Sequence, residues 1–376
     1  MLSTIPRECP AFLLDRAKAL PRVVTAVVNP VNLLSLSSAR RACDEGLIEP
    51  VLVGDQAQIR ALAEELDWDL HDLRLMHVSD DAQCAEVACI LAGAGNAQAL
   101  MKGHLHTDTL LRAVLKREVG LRGASRLSHV FHMTLPGSDK ALSITDAVIN
   151  VQPTIIDKIH IARNAIELMH ALGYEKPRMA VLSGTEEVTR SMPSSQDAAE
   201  LAKLAAIGAL GDACVEGPLA FDNAVSLEAA RIKGIRGEVA GHADILLVPN
   251  LEAGNFLFKQ MVYFMSATAA GLVLGARVPI ILTSRATRWR RAWRPARWLR
   301  FLSITVGSRA AACWRPAKQP KTQGEPRWRC NVMALSSRRQ ACNSSPTTDA
   351  SSPTPSPRPC AALRASRKRC WWRRSC

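Results

Sequence analysis

The sequence lacks an uninterrupted apolar run of membrane-spanning length. The stretch 261–281 is broken by Gly271, Gly275, Arg277 and Pro279, whereas a spanning helix needs about 20 predominantly apolar residues. The amino end carries Arg7 and Glu8 and no secretion-type apolar core, so no membrane role is expected. Cys9, Cys43, Cys84, Cys89 and Cys214 show neither a disulfide framework nor metal-ligand spacing, and a reduced, cytoplasmic setting is expected. A Walker loop is missing, and Gly93 and Gly95 do not complete a dinucleotide fingerprint, so ATP and nicotinamide use gain no support. The histidines form no zinc motif and Gly-x-Ser-x-Gly is absent. No metal ligands are assigned, and His129, His132 and His160 read as structural or surface residues.

Acidic residues are also scarce in one place. Of 48 Lys plus Arg and 34 Asp plus Glu in the 376 residues, 21 basic but only 2 acidic residues lie in 287–376. The first 286 residues are therefore mildly acidic, with 27 basic against 32 acidic side chains. The same carboxyl-terminal stretch holds seven of the eight Trp and six of the eleven Cys, which is a change of composition regime within one chain. Its charge can attract polyanions, but interleaved Trp and Arg do not make a recognition module, and nucleic-acid binding is not expected. Residues 344–359, rich in Ser, Thr and Pro, read as irregular.

What is present before the break is an alternation of short apolar runs and amphipathic segments. Strands are expected at 23–29, 50–54, 73–78, 178–183, 243–249 and 279–282, and helices at 35–45, 56–66, 82–92, 155–172 and 195–206. The pattern implies an open α/β sheet of parallel strands, whose ligands gather at carboxyl-terminal strand ends.

Polar groups follow several of these runs. Met101-Lys102-Gly103-His104-Leu105-His106-Thr107-Asp108 places a cation and a hydroxyl around a glycine turn. It fits an anion site or a polar loop, with Thr107 capping the next helix. Ile144-Thr145-Asp146 reads as another strand end or as a helix cap. Glu252, Gly254, Asn255 and Lys259 follow the 243–249 run, and a glycine there permits close backbone approach to a ligand. Thr283-Ser284-Arg285 follows the last run, aimed at the same edge, and Ser with Arg can bind phosphate through directional donors.

Taken in order, the segments resemble the phosphate acetyltransferase and phosphate butyryltransferase family. The resemblance spans residues 11–286. It rests on Lys102-Gly103 with His106-Thr107, Ile144-Thr145-Asp146-Ala147, Asp197-Ala198-Ala199, Gly217-Pro218-Leu219-Ala220-Phe221-Asp222-Asn223-Ala224, residues 243–255 with Lys259, and residues 275–285. It implies a short-chain acyl transfer between coenzyme A and inorganic phosphate, with acyl-CoA as substrate and no tightly bound cofactor. It also implies a homodimer and a two-domain cleft fold resembling isocitrate and isopropylmalate dehydrogenases. The domains expected are 1–137, 138–268, and a return of 269–286 into the first. By motif match, Ser284 and Arg285 are the catalytic candidates. Asn255, Lys259, Thr145, Asp146, Lys102 and Thr107 are the substrate-binding candidates.

A family carboxylate implicated in activating the thiol is expected shortly after the Ser-Arg pair. Here Ala286 runs into Thr287-Arg288-Trp289, and the next acid is Glu325. Encoded as ACN-CGN-TGG, Thr-Arg-Trp becomes GAC-NCG-NTG when one G is restored, which opens with Asp as the family pattern requires. The sequence thus points to a shifted reading frame beside Ala286 and an out-of-frame basic tail, 287–376. Two other readings stand beside this one. The first is a catalytically impaired acyltransferase-like protein whose tail binds anionic partners. The second is a metal-dependent decarboxylating dehydrogenase, for which the needed acidic cluster is not found.

Overall fold

The computed structural model describes residues 2–3, 17, 19–138 and 140–282, all within the unit spanning residues 1–316. Its first part alternates strand and helix. Strands β1 (Val23–Val28), β2 (Ile48–Gly54), β3 (Arg74–His77) and β4 (Ala99–Lys102) are separated by helices α1 (Leu33–Asp44), α2 (Gln56–Glu65) and α3 (Asp81–Gly93). The helices begin where a side chain satisfies a free backbone donor: Asn32, Asp55 and Asp80 accept from Ser35, Gln58 and Gln83 amides. Helix α4 (Thr107–Leu115) follows β4.

Next come β5 (Ser128–Thr134), β6 (Ala141–Thr145), α5 (Ile155–Ala171), β7 (Arg178–Leu182), α6 (Pro193–Ala206) and β8 (Cys214–Leu219). They are followed by α7 (Phe221–Val225), α8 (Leu227–Ile232), β9 (Ile245–Leu247), α9 (Leu251–Phe264), β10 (Thr268–Leu274) and β11 (Ile280–Ile281). The strands described form one sheet in the order β3-β2-β1-β4-β11-β10-β5-β6-β9-β7-β8.

The open α/β sheet is as expected, but it is mixed rather than parallel throughout. β10 is antiparallel to both β11 and β5, and β5 is antiparallel to β6. The expectation of a uniformly parallel sheet fails because 128–134 and 268–274 pair with each other across the chain, a long-range match that local periodicity cannot register. Its consequence is directional. β1, β4, β11 and β5 point one way, and β6, β9, β7 and β8 point the other.

One face carries a continuous apolar layer in which Val27, Met101, Ile281, Leu272, Val130, Leu247 and Val181 meet Leu36 of α1, Ile161 of α5 and Leu201 of α6. The opposite face carries two layers. Val28, Leu100, Ile280 and Val273 pack with Ala85 and Leu110 of α3 and α4, whereas Phe131, Ile144, Leu182 and Leu246 pack with Phe258, Met261 and Val262 of α9. The helices on this face are therefore divided into two groups, one on each side of the central strands.

Candidate functional site

Strand direction sorts the candidate residues. Lys102 ends β4, and Leu282 follows β11, which runs parallel beside it with Ile280 opposite Leu100 and Ile281 opposite Met101. These two ends share one edge of the sheet. Thr145 ends β6 opposite Leu247 of β9; β6 runs the other way, yet the register Met101–Ile281–Leu272–Val130–Thr145 sets its end level with the end of β4, four strands across the sheet. The expectation of one parallel edge is corrected in direction only: the antiparallel β5 and β10 reverse the second set of strands, and the two sets end at the same level of the sheet while running in opposite directions. Ser284 and Arg285 lie outside the described residues.

At the first edge, Gly103 is required by close packing. A Cβ there would lie 2.4 Å from the Val28 carbonyl oxygen and 2.6 Å from that of Asn29. Its absence lets the Gly103 and His104 amides donate to those oxygens at 2.8 and 2.7 Å. Lys102 is half-buried and, by strand alternation, shares the face of Leu100. Its Nζ donates to the Gly103 carbonyl at 3.4 Å. Thr107 does not cap α4. It is the first helical residue, and His106 occupies the cap position without a side-chain hydrogen bond.

At the end of β6, Thr145 and Asp146 are buried. Thr145 Oγ1 donates to the His129 carbonyl at 3.0 Å. Asp146 Oδ1 accepts from the Val148 and Ile149 amides at 2.9 and 3.1 Å, and Oδ2 accepts from Asn150 Nδ2 at 2.6 Å. Burial holds this carboxyl above its ordinary range, against the opposing effect of those donors. Neither residue caps a helix. Together they fold the 146–150 turn, and α5 begins later with its own capping box between Thr154 and Asp157.

Helix α9 rests on that turn. Asn250 caps it by accepting from the Ala253 amide at 3.0 Å. Asn255 Nδ2 donates to the Ala147 carbonyl at 3.2 Å. Gly254 is buried, and a Cβ there would lie 2.8 Å from Val248 Cγ2 and 2.9 Å from Ala147 Cβ. The close approach that this glycine permits is therefore to the protein's own turn, which corrects the expectation that it faces a ligand. Lys259 is exposed, one helical turn beyond Asn255.

Several buried groups complete the surroundings. Burial pushes the imidazoles down, His129 to about 3 and His132 to about 4, so both are neutral rings with structural contacts, as the sequence suggested. The Cys84 and Cys89 thiols are pushed up to about 11 and about 12, chiefly by burial, which disfavours the nucleophilic thiolate. Among the described residues, no group of three or more His, Cys, Asp or Glu could hold a metal ion, and no helix is long and apolar enough to cross a membrane. Sequence reading missed two features. Lys158 is buried and pairs with Asp197 at 2.7 Å, clamping α5 to α6; the motif at Asp197 was the available signal. The ring of Phe131 stacks on Phe258 and meets His129 edge to face in the core, and no local signal marks that arrangement.

Comparison with known proteins places this architecture. Residues 81–293 match the family model described as phosphate acetyl/butaryl transferase. A phosphate acetyltransferase of Rickettsia felis is 50% identical over 275 residues, covering 73% of this chain and 79% of the relative. A phosphate butyryltransferase of Clostridium beijerinckii is 41% identical over 274 residues, covering 73% and 91%. The crystal structure of a branched-chain phosphotransacylase from Enterococcus faecalis aligns with a TM-score of 0.65 at 33% identity, covering 75% of this chain and 99% of that one. The chain belongs to the phosphate acetyltransferase and phosphate butyryltransferase family.

Proposed function

We propose that this chain carries out its family's reaction, the transfer of a short acyl group between coenzyme A and inorganic phosphate. In one direction the coenzyme A thiolate attacks the acyl-phosphate carbonyl. The carbon–sulfur bond forms, the carbon–oxygen bond to phosphate breaks, and inorganic phosphate leaves. The reverse path gives acyl phosphate and free thiol. Negative charge gathers on the carbonyl oxygen and the phosphate, so fixed cations and hydrogen-bond donors lower the barrier. The observation that carries the reading is 50% identity to a phosphate acetyltransferase along 79% of its length.

In this reading Ser284 and Arg285 serve the acyl-phosphate end. Lys102 and Thr107 support it from the neighbouring strand end, consistent with β11 lying directly beside β4. Asn255 and Lys259 form the wall contributed by α9. Thr145 and Asp146 act one step back, through the turn that accepts the Asn255 hydrogen bond. The arrangement is a two-lobed cleft resembling isocitrate and isopropylmalate dehydrogenases, with lobes at 1–137 and 138–268 and a return at 269–286. Support comes from the two separate helix layers on one face of the sheet. We further propose a cytoplasmic homodimer that uses acyl-CoA and phosphate as substrates and holds no tight cofactor.

The decisive assay follows phosphate-dependent release of coenzyme A from acetyl-CoA and butyryl-CoA. It compares residues 1–376 with a version whose reading frame is restored after Ala286. Activity in both supports transfer by the chain as it stands. Activity in the restored form alone assigns the defect to the sequence after Ala286, leaving the impaired-enzyme reading for 1–376. Inactivity of both overturns the assigned reaction for these substrates.

A further inference from the structure

Asn255 and Lys259 are spaced i, i+4, so they rise from one side of α9. Phe258, three residues on from Asn255 and about 100° round the helix from Lys259, is buried beside that face. Its ring stacks on Phe131 of β5 with centroids 3.7 Å apart and planes inclined by 1°. Phe131 meets His129 edge to face, with centroids 4.3 Å apart at 62°. Three rings thus form a ladder from β5 to the helix carrying the substrate wall.

The surroundings are fitted to the rings. Gly271 lies opposite Phe131 on β10, and a Cβ there would fall 2.9 Å from His129 Nε2 and 3.2 Å from Phe131 Cε1. His129 Nδ1 is buried with no hydrogen-bond partner, so this imidazole serves the core as a flat ring edge rather than as a polar group. Aliphatic contacts hold a helix by close packing but prefer no particular plane. Stacked planes fix both separation and rotation, and a roll of α9 would swing Lys259 through an arc while leaving its burial unchanged.

We propose that the His129, Phe131 and Phe258 ladder is a positioning element for the reaction, setting the rotation of α9 and hence where Asn255 and Lys259 meet coenzyme A. The inference rests on the reading of those two residues as substrate contacts. Coenzyme A itself is the probe, its dissociation constant measured by titration calorimetry on the full chain. Phe258→Leu keeps an apolar contact but removes the flat ring, and a loss of about tenfold in affinity is expected, within the range that misplacing a binding group produces. Phe258→Tyr, which keeps the plane, should restore affinity to within about twofold of the parent. The double variant Phe258→Leu with Lys259→Ala should lose less than the product of the two single losses, because the ladder acts in part through Lys259.

Equal affinity of Phe258→Leu and the parent, equal losses in the Leu and Tyr variants, or losses that multiply in the double variant overturn the ladder's role. Should Phe258→Leu fail to fold, Phe131→Leu in the same cycle reads the same coupling. The underlying reading fails separately: the parent does not bind coenzyme A, or Asn255→Ala and Lys259→Ala both bind it as the parent does.

Discussion

Asn150 holds Asp146 from the side chain, its Nδ2 donating to Asp146 Oδ2 at 2.6 Å. The same amide nitrogen donates to the Leu127 carbonyl at 2.9 Å, and Oδ1 accepts from Arg126 Nε at 2.6 Å. Arg126 in turn pairs with Asp157 at the start of α5. One asparagine therefore ties the turn beneath α9 to the segment leading into β5 and, through Arg126, to the start of α5.

Asn150→Ala removes all three side-chain contacts and leaves a buried carboxylate short of a donor. Such a loss costs about 2 to 3 kcal/mol, to be read as a lower urea midpoint with an unchanged denaturant slope. A variant within about 0.5 kcal/mol of the parent would show that water replaces the amide and that the turn does not depend on it.

The outer strands of the sheet were largely legible because they are continuous apolar runs ended by turn residues. The 50–54 run sits inside Ile48–Gly54, and 178–183 contains Arg178–Leu182. β5 and β10 were not legible in the same way. β5 reads Ser-His-Val-Phe-His-Met-Thr, which hides a buried strand under polar residues, and β10 carries Gly271 in its middle. Their pairing joins residues far apart in sequence, and it is what reverses half the sheet. The site divides similarly. Motif order brought out Lys102, Thr145 and Asn255, but whether Gly254 faces a ligand or the chain depends on Ala147, which local pattern cannot supply.

The two core imidazoles make a pH prediction with a definite sign. Each has an ordinary value of 6.5, depressed by burial to about 3 for His129 and about 4 for His132. The unfolded chain therefore binds protons first. The stability these rings support is whole above about pH 6.5 and drains away as pH falls through that value toward the folded ones, by about 2 kcal/mol per ring at about pH 5. His132→Asn should flatten the fall in chemical stability between about pH 6.5 and pH 4. An unchanged slope would place the acid sensitivity in other groups.

The Lys158 and Asp197 pair is asymmetric, the lysine side chain 4% exposed and the aspartate 29%. Removing the aspartate strands a buried ammonium, so Asp197→Ala should cost about 3 kcal/mol. The double replacement Lys158→Met with Asp197→Ala should recover most of that loss, since an apolar side chain suits the pocket that the ammonium leaves. Additive losses in the double variant would mean that Lys158 has a further partner and that the pair is not the clamp between α5 and α6.

Gly103→Ala and Gly254→Ala should differ in severity for a reason visible in what each methyl would strike. At Gly103 the obstacles are the backbone oxygens of Val28 and Asn29, at 2.4 and 2.6 Å, and these already accept the hydrogen bonds that join β4 to β1. At Gly254 the nearest atoms are a Val248 methyl at 2.8 Å, which yields by rotation, and the Ala147 Cβ at 2.9 Å, which yields by a small shift of the helix. Gly254→Ala should therefore cost about 1 to 3 kcal/mol, typical of overpacking. Gly103→Ala should cost more, because the backbone oxygens have no rotamer to change. The helix shift at Gly254 also separates Asn255 from the Ala147 carbonyl, so that variant should lose affinity for coenzyme A beyond its loss of stability. Thermal unfolding together with calorimetric titration checks both orders, and a Gly254→Ala protein that is less stable yet binds coenzyme A as the parent does would uncouple the seat of α9 from the site.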